Sequence, residues 1–331
     1  MLKGVLSSSI GSLPYTKAES ALGIAKTLDI PAWPQLPKKG FFENMYVQES
    51  GGMPGARLDG ENLYFETEDI EEELVSFYER YLETDLEYFA LSKDWAEGFY
   101  AFLNNPPKTE YVKGQVTGPI SFGLTVCDKT KKPIIYNDDL FEAVRKAIEM
   151  KAVWQAERLR AIGKPIIFLD EPYLSAFGSC TIPLAKPQIV RWLADVVLPI
   201  KERGVLVGVH CCGNTDWSIL MEANIDILNF DAYNFAHTLR LYKDELYSYL
   251  GKGGILAFGI VPSSEKIVDE TANSLNERLK KEIKSLVDCG IDPAFLQNFL
   301  ITPSCGLGSL SCEIAEKVIN TTKELSKMWH N

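Results

Sequence analysis

The stretch Val205-Leu206-Val207-Gly208-Val209-His210-Cys211-Cys212-Gly213-Asn214 joins an apolar run to a short polar segment. An apolar run of this length predicts a strand that is buried on both faces, as in a parallel sheet. Similar runs lie at 166–169, 225–230, 255–259 and 299–301. Amphipathic segments separate them, and no phosphate-binding glycine loop accompanies them. This alternation predicts an α/β fold of the (β/α)8 TIM barrel type.

The amphipathic segments of this half carry Lys and Glu on one face, which is typical of helices that cover a sheet. The predicted helices lie at about 138–162, 187–203, 215–223, 236–250, 269–289 and 309–329.

The N-terminal half supplies the remaining strands of the barrel less clearly. Residues 5–10 and 111–116 predict two strands, and 43–48 is the candidate for the last of the eight. Residues 50–67 are rich in Gly, Pro, Asn and acidic residues, which predicts a long loop that could serve as a lid over the site. An acidic helix at about 68–90 is expected to follow.

No linker or change in composition divides the sequence. We therefore predict a single (β/α)8 catalytic domain over residues 1–331, elaborated in its N-terminal part by a loop and helix insertion at about 50–91.

Composition restricts the class of protein. The 331 residues, 46% of them hydrophobic, can form a large core. The net charge of −11, without a cluster of Lys and Arg, argues against nucleic acid or an anionic membrane as a partner. Because the sequence shows neither an 18-residue apolar span nor a signal peptide, we expect a cytoplasmic protein.

The seven cysteines are spaced irregularly, which predicts reduced thiols rather than a disulfide framework. Cys127, Cys180, Cys289 and Cys312 have no partners at metal-binding spacing and are predicted to be packing residues.

Side chains suited to a metal follow two of the predicted strands. Alternate residues of a strand share a face, so His210 and Cys212 point to one side and Cys211 points away. Cys305 follows the run at 299–301, and the ends of barrel strands converge on one rim. The three side chains predict a zinc site with one open position, because imidazole and thiolates suit zinc better than magnesium or calcium. Two structural cysteines and a core histidine are the alternative.

Other polar groups at strand ends extend this site. Asp231 is either a further metal ligand or the cap of the next helix. Asp170 and Glu171 are either a clamp for a substrate ammonium group, with a role in catalysis, or a strand-end cap or salt bridge. Gly11 and Ser12 offer close backbone approach and a hydroxyl, which suit a carboxylate.

Two thiolates offset the charge of Zn²⁺, so this ligand set suits the binding of another thiolate better than the polarisation of a carbonyl group. A substrate thiol in the open position would lose its proton well below its free pKa of about 8.5 and would stay nucleophilic. The residues therefore predict alkyl transfer to sulfur.

The motifs as a set resemble those of cobalamin-independent methionine synthase. This sequence contains four motifs in the order found in the C-terminal catalytic barrel of that family. They are Ser9-Ile10-Gly11-Ser12-Leu13-Pro14, Asp170-Glu171-Pro172, His210-x-Cys212 and Pro303-x-Cys305-Gly306-Leu307. The His-Cys-Cys-Gly-Asn run is also similar to methylcobamide:thiol methyltransferases and uroporphyrinogen decarboxylase-like proteins, which share one barrel superfamily.

The resemblance implies a set of binding residues. It implies zinc on His210, Cys212 and Cys305, with Asp231 standing where methionine synthase has a ligand glutamate. It also implies that Ile10, Ser12 and Asp170 hold the backbone of homocysteine, Asp170 through the amino group.

Three departures from the family pattern bear on the methyl donor. The sequence matches one barrel, without the half that helps methionine synthase to hold polyglutamylated folate. The family's catalytic histidine would follow 255–258, where the sequence has Gly259-Ile260-Val261-Pro262. The family's acidic element after the second strand is not recognisable, and Gln48-Glu49 is the nearest candidate. We therefore expect a methyl-corrinoid protein rather than methyltetrahydrofolate, because a thiolate cleaves a methyl–cobalt bond without a protonated leaving group.

The sequence thus predicts a zinc-dependent thiol S-methyltransferase of the methionine synthase type, which converts homocysteine to methionine. Its partners would be a small thiol and a methyl-corrinoid protein, with neither nucleic acid nor a membrane. The alternatives are a tetrapyrrole decarboxylase, a methylcobamide:coenzyme M-type methyltransferase, and a non-catalytic module that binds zinc or a corrinoid.

Overall fold

A computed structural model describes residues 2–178 and 183–330 of the chain. Cys180, one of the predicted packing cysteines, lies outside the described residues. The strands of the described part are β1 (Val5–Ser7), β2 (Ala56–Asp59), β3 (Asn62–Phe65), β4 (Tyr111–Thr117), β5 (Lys164–Asp170), β6 (Leu206–Cys211), β7 (Ile227–Phe230), β8 (Ile255–Val261) and β9 (Phe299–Pro303).

Seven of these strands form one parallel sheet, in the order β1, β9, β8, β7, β6, β5 and β4. From β4 to β9, each strand lies beside the next one in the chain, and a helical connection returns the chain to the same end of the sheet. This is the right order for a barrel and not for a doubly wound sheet, in which the order reverses at the centre.

The extended segment 30–35 closes the sheet into a barrel. Ile30 forms a parallel bridge with Ser8, just past β1, and Ala32 forms a parallel bridge with Lys113 in β4. A backbone hydrogen bond of 2.9 Å supports each bridge. The segment therefore takes the eighth position, between the two outer strands, and the predicted (β/α)8 type of fold is confirmed.

The prediction that 43–48 is this eighth strand is wrong. Residues Phe41–Glu43 form a short 3-10 helix, and an α-helix follows at Met45–Ser50. Asn44 starts that helix, because its side-chain oxygen accepts a hydrogen bond of 2.9 Å from the Tyr46 N–H.

Helices cover the outside of the sheet. They are α1 (Ala18–Ala25), α2 (Met45–Ser50), α3 (Glu71–Leu82), α4 (Glu97–Asn104), α5 (Pro119–Thr125), α6 (Asp138–Leu159), α7 (Lys186–Glu202), α8 (Trp217–Glu222), α9 (Ala232–Phe235), α10 (Lys243–Gly251), α11 (Ala272–Asp288) and α12 (Cys312–Lys327). The six helices predicted for the second half are present with shifted ends, and the one at 236–250 is divided into a 3-10 helix at Ala236–Tyr242 and α10. Within the described residues, none of the helices combines the length and apolar character that a membrane span needs.

The segment at 50–91 differs from its prediction in two ways. The expected loop contains an antiparallel hairpin, in which β2 pairs with β3 around Gly60 at φ 57°. The acidic helix α3 ends at Leu82, because Thr84 adopts a positive φ of 55° that an α-helix does not allow. The hairpin is also anchored, since the Phe65 N–H donates to the Cys127 carbonyl over 3.0 Å. It is therefore a packed part of the domain.

The core has two layers, and this explains the continuous apolar runs of the sequence. Side chains such as Ile166, Phe168 and Leu300 fill the interior of the barrel. Their neighbours in the same strands, such as Ile167 and Ile301, pack outwards against the helices. Because both faces of each strand are buried, the sequence cannot alternate between apolar and polar residues. The polar side chains that do lie within strands, such as Lys113 and Asn229, are buried.

Candidate metal and substrate site

Three side chains of the types that bind zinc meet at the carboxyl ends of two strands. One ligand atom each from His210, Cys212 and Cys305 lies within 4.8 Å of the other two. His210 is near the end of β6, Cys212 follows β6, and Cys305 lies two residues beyond β9. Strands β6 and β9 are separated in the sheet by β7 and β8, so the curvature of the barrel brings the three together.

Cys211 lies outside this cluster. Its side chain is buried in the core, and its thiol donates to the Gly213 carbonyl over 3.5 Å. Burial raises the pKa of the Cys211 thiol to about 12, which keeps it protonated. The alternation of side chains along β6 predicts this division between Cys211 and its two neighbours.

The two cysteines of the cluster shift each other's pKa in opposite directions. The interaction with Cys305 and with the His210 imidazole lowers the pKa of Cys212, against the effect of burial. The same interaction with Cys212, together with burial, raises the pKa of Cys305. The shifts favour one thiolate and one thiol in the pair, and a cation would take the place of the remaining proton.

The cluster fits zinc. His210 Nε2 is buried and has no hydrogen-bond partner, although buried polar atoms are nearly always paired. The other ring nitrogen, Nδ1, contacts the Asn229 side-chain oxygen at 2.5 Å. Nε2 is thus the nitrogen that is left for a metal. One imidazole and two sulfurs are a soft donor set, which zinc prefers and magnesium or calcium does not.

Asp231 does not belong to the group of three. It occupies the N-cap position of α9, where its carboxylate accepts hydrogen bonds from the Asn234 N–H over 2.9 Å and from Asn234 Nδ2 over 2.6 Å. Burial raises its pKa. The structure thus gives Asp231 the helix-capping role that the sequence offered as one alternative, and a role as a metal ligand stays a prediction that requires these bonds to be exchanged.

A cavity of about 150 Å³ opens beside the cluster. Residues from both sequence predictions line it, namely Ile10, Ser12, Asp170, His210, Cys212 and Cys305. Three of the four predicted metal ligands and three of the four predicted substrate residues thus share one space, which is large enough for a small amino acid.

Gly11, the fourth predicted substrate residue, acts through its lack of a side chain. Its φ is 143°, and a Cβ atom there would lie 2.6 Å from the side-chain carbon of Gln115. Gly11 therefore lets the Gln115 amide pack against the backbone, where Gln115 lines the cavity and its Nε2 donates to the Trp33 carbonyl over 3.0 Å.

Two carboxyl groups face the cavity with unpaired oxygens. Asp170 Oδ1 and Glu49 Oε2 are buried and have no hydrogen-bond partner. Burial raises the pKa of Asp170 to about 6, although Lys113 opposes the shift. Burial raises the pKa of Glu49 to about 7, against the attraction of Lys151, and the nearby Asp170 adds to the rise. The cavity thus presents two acceptors that a substrate ammonium group would satisfy.

Glu49 is the functional candidate that the sequence analysis did not identify with certainty. Met45, Gln48 and Glu49 all line the cavity from α2, so the pair Gln48-Glu49, the nearest candidate for the family's acidic element, lies at the site. Their spacing is i, i+3 and i+4, which places three residues on one face of a helix. That spacing was the available signal, and the assignment of 43–48 to a strand concealed it.

The structure places Glu171 as a helix cap, and its catalytic role stays a prediction. Neighbouring residues at a strand end point to opposite sides, and Glu171 points away from the cavity. Its carboxylate accepts hydrogen bonds from the Ile120 N–H over 2.9 Å and from the Ser121 N–H over 2.7 Å, at the start of α5. Gly118 makes room for it, since a Cβ there would lie 2.2 Å from Glu171 Oε1. Glu171 therefore caps a helix.

This sequence is 27% identical over 226 residues to a curated protein, the methionine synthase of Methanothermobacter marburgensis. The chain is similar to a methionine synthase. This similarity confirms the resemblance predicted from the motifs. The match covers 65% of this chain and 63% of the length of the relative. No protein-family model matches the sequence.

One solved structure of a methyltransferase shares the fold over nearly its whole length. A methyltransferase from Methanosarcina mazei superposes with a TM-score of 0.54 at 14% identity, over 98% of this chain and 95% of that one. A B12-independent methionine synthase from Shewanella sp. W3-18-1 gives a TM-score of 0.47 at 19% identity, over 69% of this chain and 64% of that one. At these identities, the first comparison shows that the barrel architecture extends over nearly the whole chain.

Proposed function

We propose that this protein is a methyltransferase of the methionine synthase type, which transfers a methyl group to the thiol of homocysteine. The convergence of His210, Cys212 and Cys305 beside a small cavity with two unpaired carboxylates carries the proposal. The similarity to a methionine synthase supports it. A small molecule with a thiol group and an ammonium group would match this site, because the thiol would meet the His-Cys-Cys cluster and the ammonium group would meet the two carboxyl groups.

His210, Cys212 and Cys305 would hold zinc, which, when bound, supplies a cation that lowers the pKa of a substrate thiol. Asp170 and Glu49 would bind and orient the ammonium group of the amino acid through their buried oxygens. Ser12 lines the same cavity, and its hydroxyl, which accepts a hydrogen bond of 3.3 Å from the Gly308 N–H, would donate to the substrate carboxylate. Holding the amino acid at both groups fixes its sulfur near the cluster.

The methyl transfer itself requires little from the chain beyond this orientation. The substrate sulfur attacks the methyl carbon in line, the new S–C bond forms, and the leaving group departs with the electron pair of the old bond. Met45 and Pro172 line the cavity, where they would limit the access of water to the sulfur. Exclusion of water keeps a thiolate reactive and prevents its stabilisation by solvent.

The methyl donor is proposed to be a methyl-corrinoid protein. The end of β8, at Gly259-Ile260-Val261-Pro262, carries no group that could protonate a leaving amine. Of the three histidines in the sequence, His210 is the one that lines the cavity. A cobalt leaving group needs no proton, whereas the nitrogen of a folate does.

A matrix of donors and thiols tests both parts of the proposal. Zinc-loaded protein is incubated with methylcobalamin or methyltetrahydrofolate, each with homocysteine or coenzyme M, and loss of the donor is followed by absorbance. We expect loss of methylcobalamin with homocysteine. Loss of folate alone would overturn the donor, and reaction with coenzyme M alone would overturn the amino-acid acceptor. No reaction in any combination would contradict the methyltransferase.

The tetrapyrrole decarboxylase alternative is less well supported. Such an enzyme needs Arg or Lys side chains to bind several carboxylates. The described residues that line the cavity include neither type, and its charged groups are acidic. Binding of a tetrapyrrole polycarboxylate in preference to homocysteine, measured by calorimetry, would favour that alternative.

A further inference from the structure

We propose that Asn229 is a positioning residue for His210, which fixes the proton on Nδ1 and thereby presents the lone pair of Nε2 to the metal. This inference rests on the zinc site of the proposed function. In this proposal, the neutral side chain of Asn229 in β7 determines which ring nitrogen of His210 binds the metal.

Asn229 lies directly beside His210 in the barrel. The two residues are partners in the register of β6 and β7, and Asn229 is fully buried. Its Oδ1 lies 2.5 Å from His210 Nδ1. Because both side chains point to the barrel interior at the same level, the ring cannot avoid this contact without leaving the cluster.

The orientation of the Asn229 amide follows from its other contacts. Its Nδ2 lies 3.0 Å from the Ala257 carbonyl oxygen and 2.8 Å from Thr302 Oγ1. A carbonyl oxygen only accepts hydrogen bonds, so the atom that faces Ala257 must be the NH2 group. The amide therefore cannot be reversed, and Oδ1 is the atom that faces His210.

The protonation of the ring follows in turn. An amide oxygen only accepts, so the short contact requires a hydrogen on Nδ1 in the neutral ring as well as in the charged ring. The neutral ring then has its lone pair on Nε2, which is the buried atom without a partner. Metal ligation by histidine depends on such a partner for the other nitrogen.

The same network connects the strands that carry the ligands. Asn229 reaches across Ala257 of β8 to Thr302 of β9, and the small side chain of Ala257 leaves room for this contact. Thr302 is fully buried and lies three residues before Cys305. Asn229 thus links the imidazole of His210 on β6 to β9, the strand that leads to the Cys305 thiol.

Nitrogen-15 NMR of histidine-labelled protein tests the inference on the wild-type chain. The sequence has three histidines, so the His210 signals are assigned by comparison with His237→Gln and His330→Gln. We expect Nδ1 to carry the hydrogen in the zinc-free neutral ring and to keep it in the zinc-loaded protein. A hydrogen on Nε2 of the neutral ring, or zinc on Nδ1, would overturn the proposal.

Variants at position 229 give a second readout. Asn229→Leu removes the acceptor, and we expect zinc affinity, measured by competition with a chromophoric chelator, to fall about 10- to 100-fold with a mixture of ring tautomers. Asn229→Asp keeps the acceptor and should retain the Nδ1–H form. Wild-type zinc affinity in a folded Asn229→Leu protein would contradict the positioning role. These readouts do not involve methyl transfer, so failure of the proposed function would be recognised separately.

Discussion

At the scale of single residues, the site combines two kinds of unsatisfied group within one small space. His210 Nε2 lacks a hydrogen-bond partner next to the thiols, and Asp170 Oδ1 and Glu49 Oε2 lack partners in the same cavity. Buried polar atoms without partners cost about 1–3 kcal/mol each. Their retention at one cavity is what a site for a cation and an ammonium group requires.

Glu49 should make ligand binding depend on pH. Its pKa is raised to about 7, so its ionised fraction falls as the pH drops below that value. An ammonium group needs the ionised form, and affinity should therefore decrease by up to about tenfold for each pH unit below 7. Calorimetry with methionine between pH 7.5 and 5.5 measures this, because methionine has no thiol to titrate. In Glu49→Gln the dependence should be lost down to about pH 6, where Asp170 titrates. An unchanged profile in the variant would exclude Glu49 from binding.

Cys305 and Cys312 form a matched pair for testing the metal site. Both follow β9, but Cys305 lies in the cluster and Cys312 is exposed at the start of α12. Cys305→Ser should lower zinc affinity by at least about 100-fold, since it removes a thiolate ligand. Cys312→Ser should bind zinc as the wild type does. Equal zinc content in the two variants, measured after dialysis, would contradict the assignment of Cys305.

At the scale of elements, the strands of the second half were predicted because each is buried on both faces and shows as an apolar run. The sequence does not predict the segment at the eighth barrel position. Residues 30–35 contain Pro31 and Pro34 and form isolated bridges instead of a continuous ladder. The short helix α2 was also missed. Its six residues make fewer than two turns, so the spacing of Met45, Gln48 and Glu49 is a weak helical signal, and the fold is what places Glu49 at the site.

Substitution of Glu171 tests whether this residue acts as a helix cap or as a catalytic acid. Its two oxygens accept bonds from two N–H groups at the start of α5. Glu171→Gln replaces one acceptor with a donor that faces an N–H, and we expect the free energy of unfolding to fall by about 1–3 kcal/mol. Denaturant titration measures the change, and zinc affinity should stay that of the wild type. A variant with unchanged stability and abolished methyl transfer would support the catalytic role.

At the scale of the whole molecule, the ligands could be predicted and their assembly could not. His210, Cys212 and Cys305 stand out as residue types at strand ends, and the barrel geometry implied that they converge. The distances, the capping of α9 by Asp231 and the inward direction of Asp170 rather than Glu171 depend on the packed structure. Sequence spacing specifies which face a residue occupies only when the strand boundary is known.

Zinc should stabilise the whole barrel, because its ligands come from β6 and β9, on both sides of β7 and β8. Binding to the folded state alone adds about 2.7 kcal/mol at a free zinc concentration 100 times the Kd. We expect the Tm to rise by about 5 °C in a calorimetric scan. Cys212→Ser should remove most of this shift, whereas an equal shift in that variant would place the zinc elsewhere.

The most direct test of the account is the formation of labelled methionine. Zinc-loaded wild-type protein and Cys212→Ser are each given trideuteromethyl-cobalamin or trideuteromethyl-tetrahydrofolate with homocysteine, and the product is measured by mass spectrometry. The account predicts trideuteromethyl-methionine from the wild type with the cobalamin donor and at least about a 100-fold lower rate from the variant. Wild-type protein that binds zinc but yields no labelled methionine from either donor, or a variant as fast as the wild type, would contradict it.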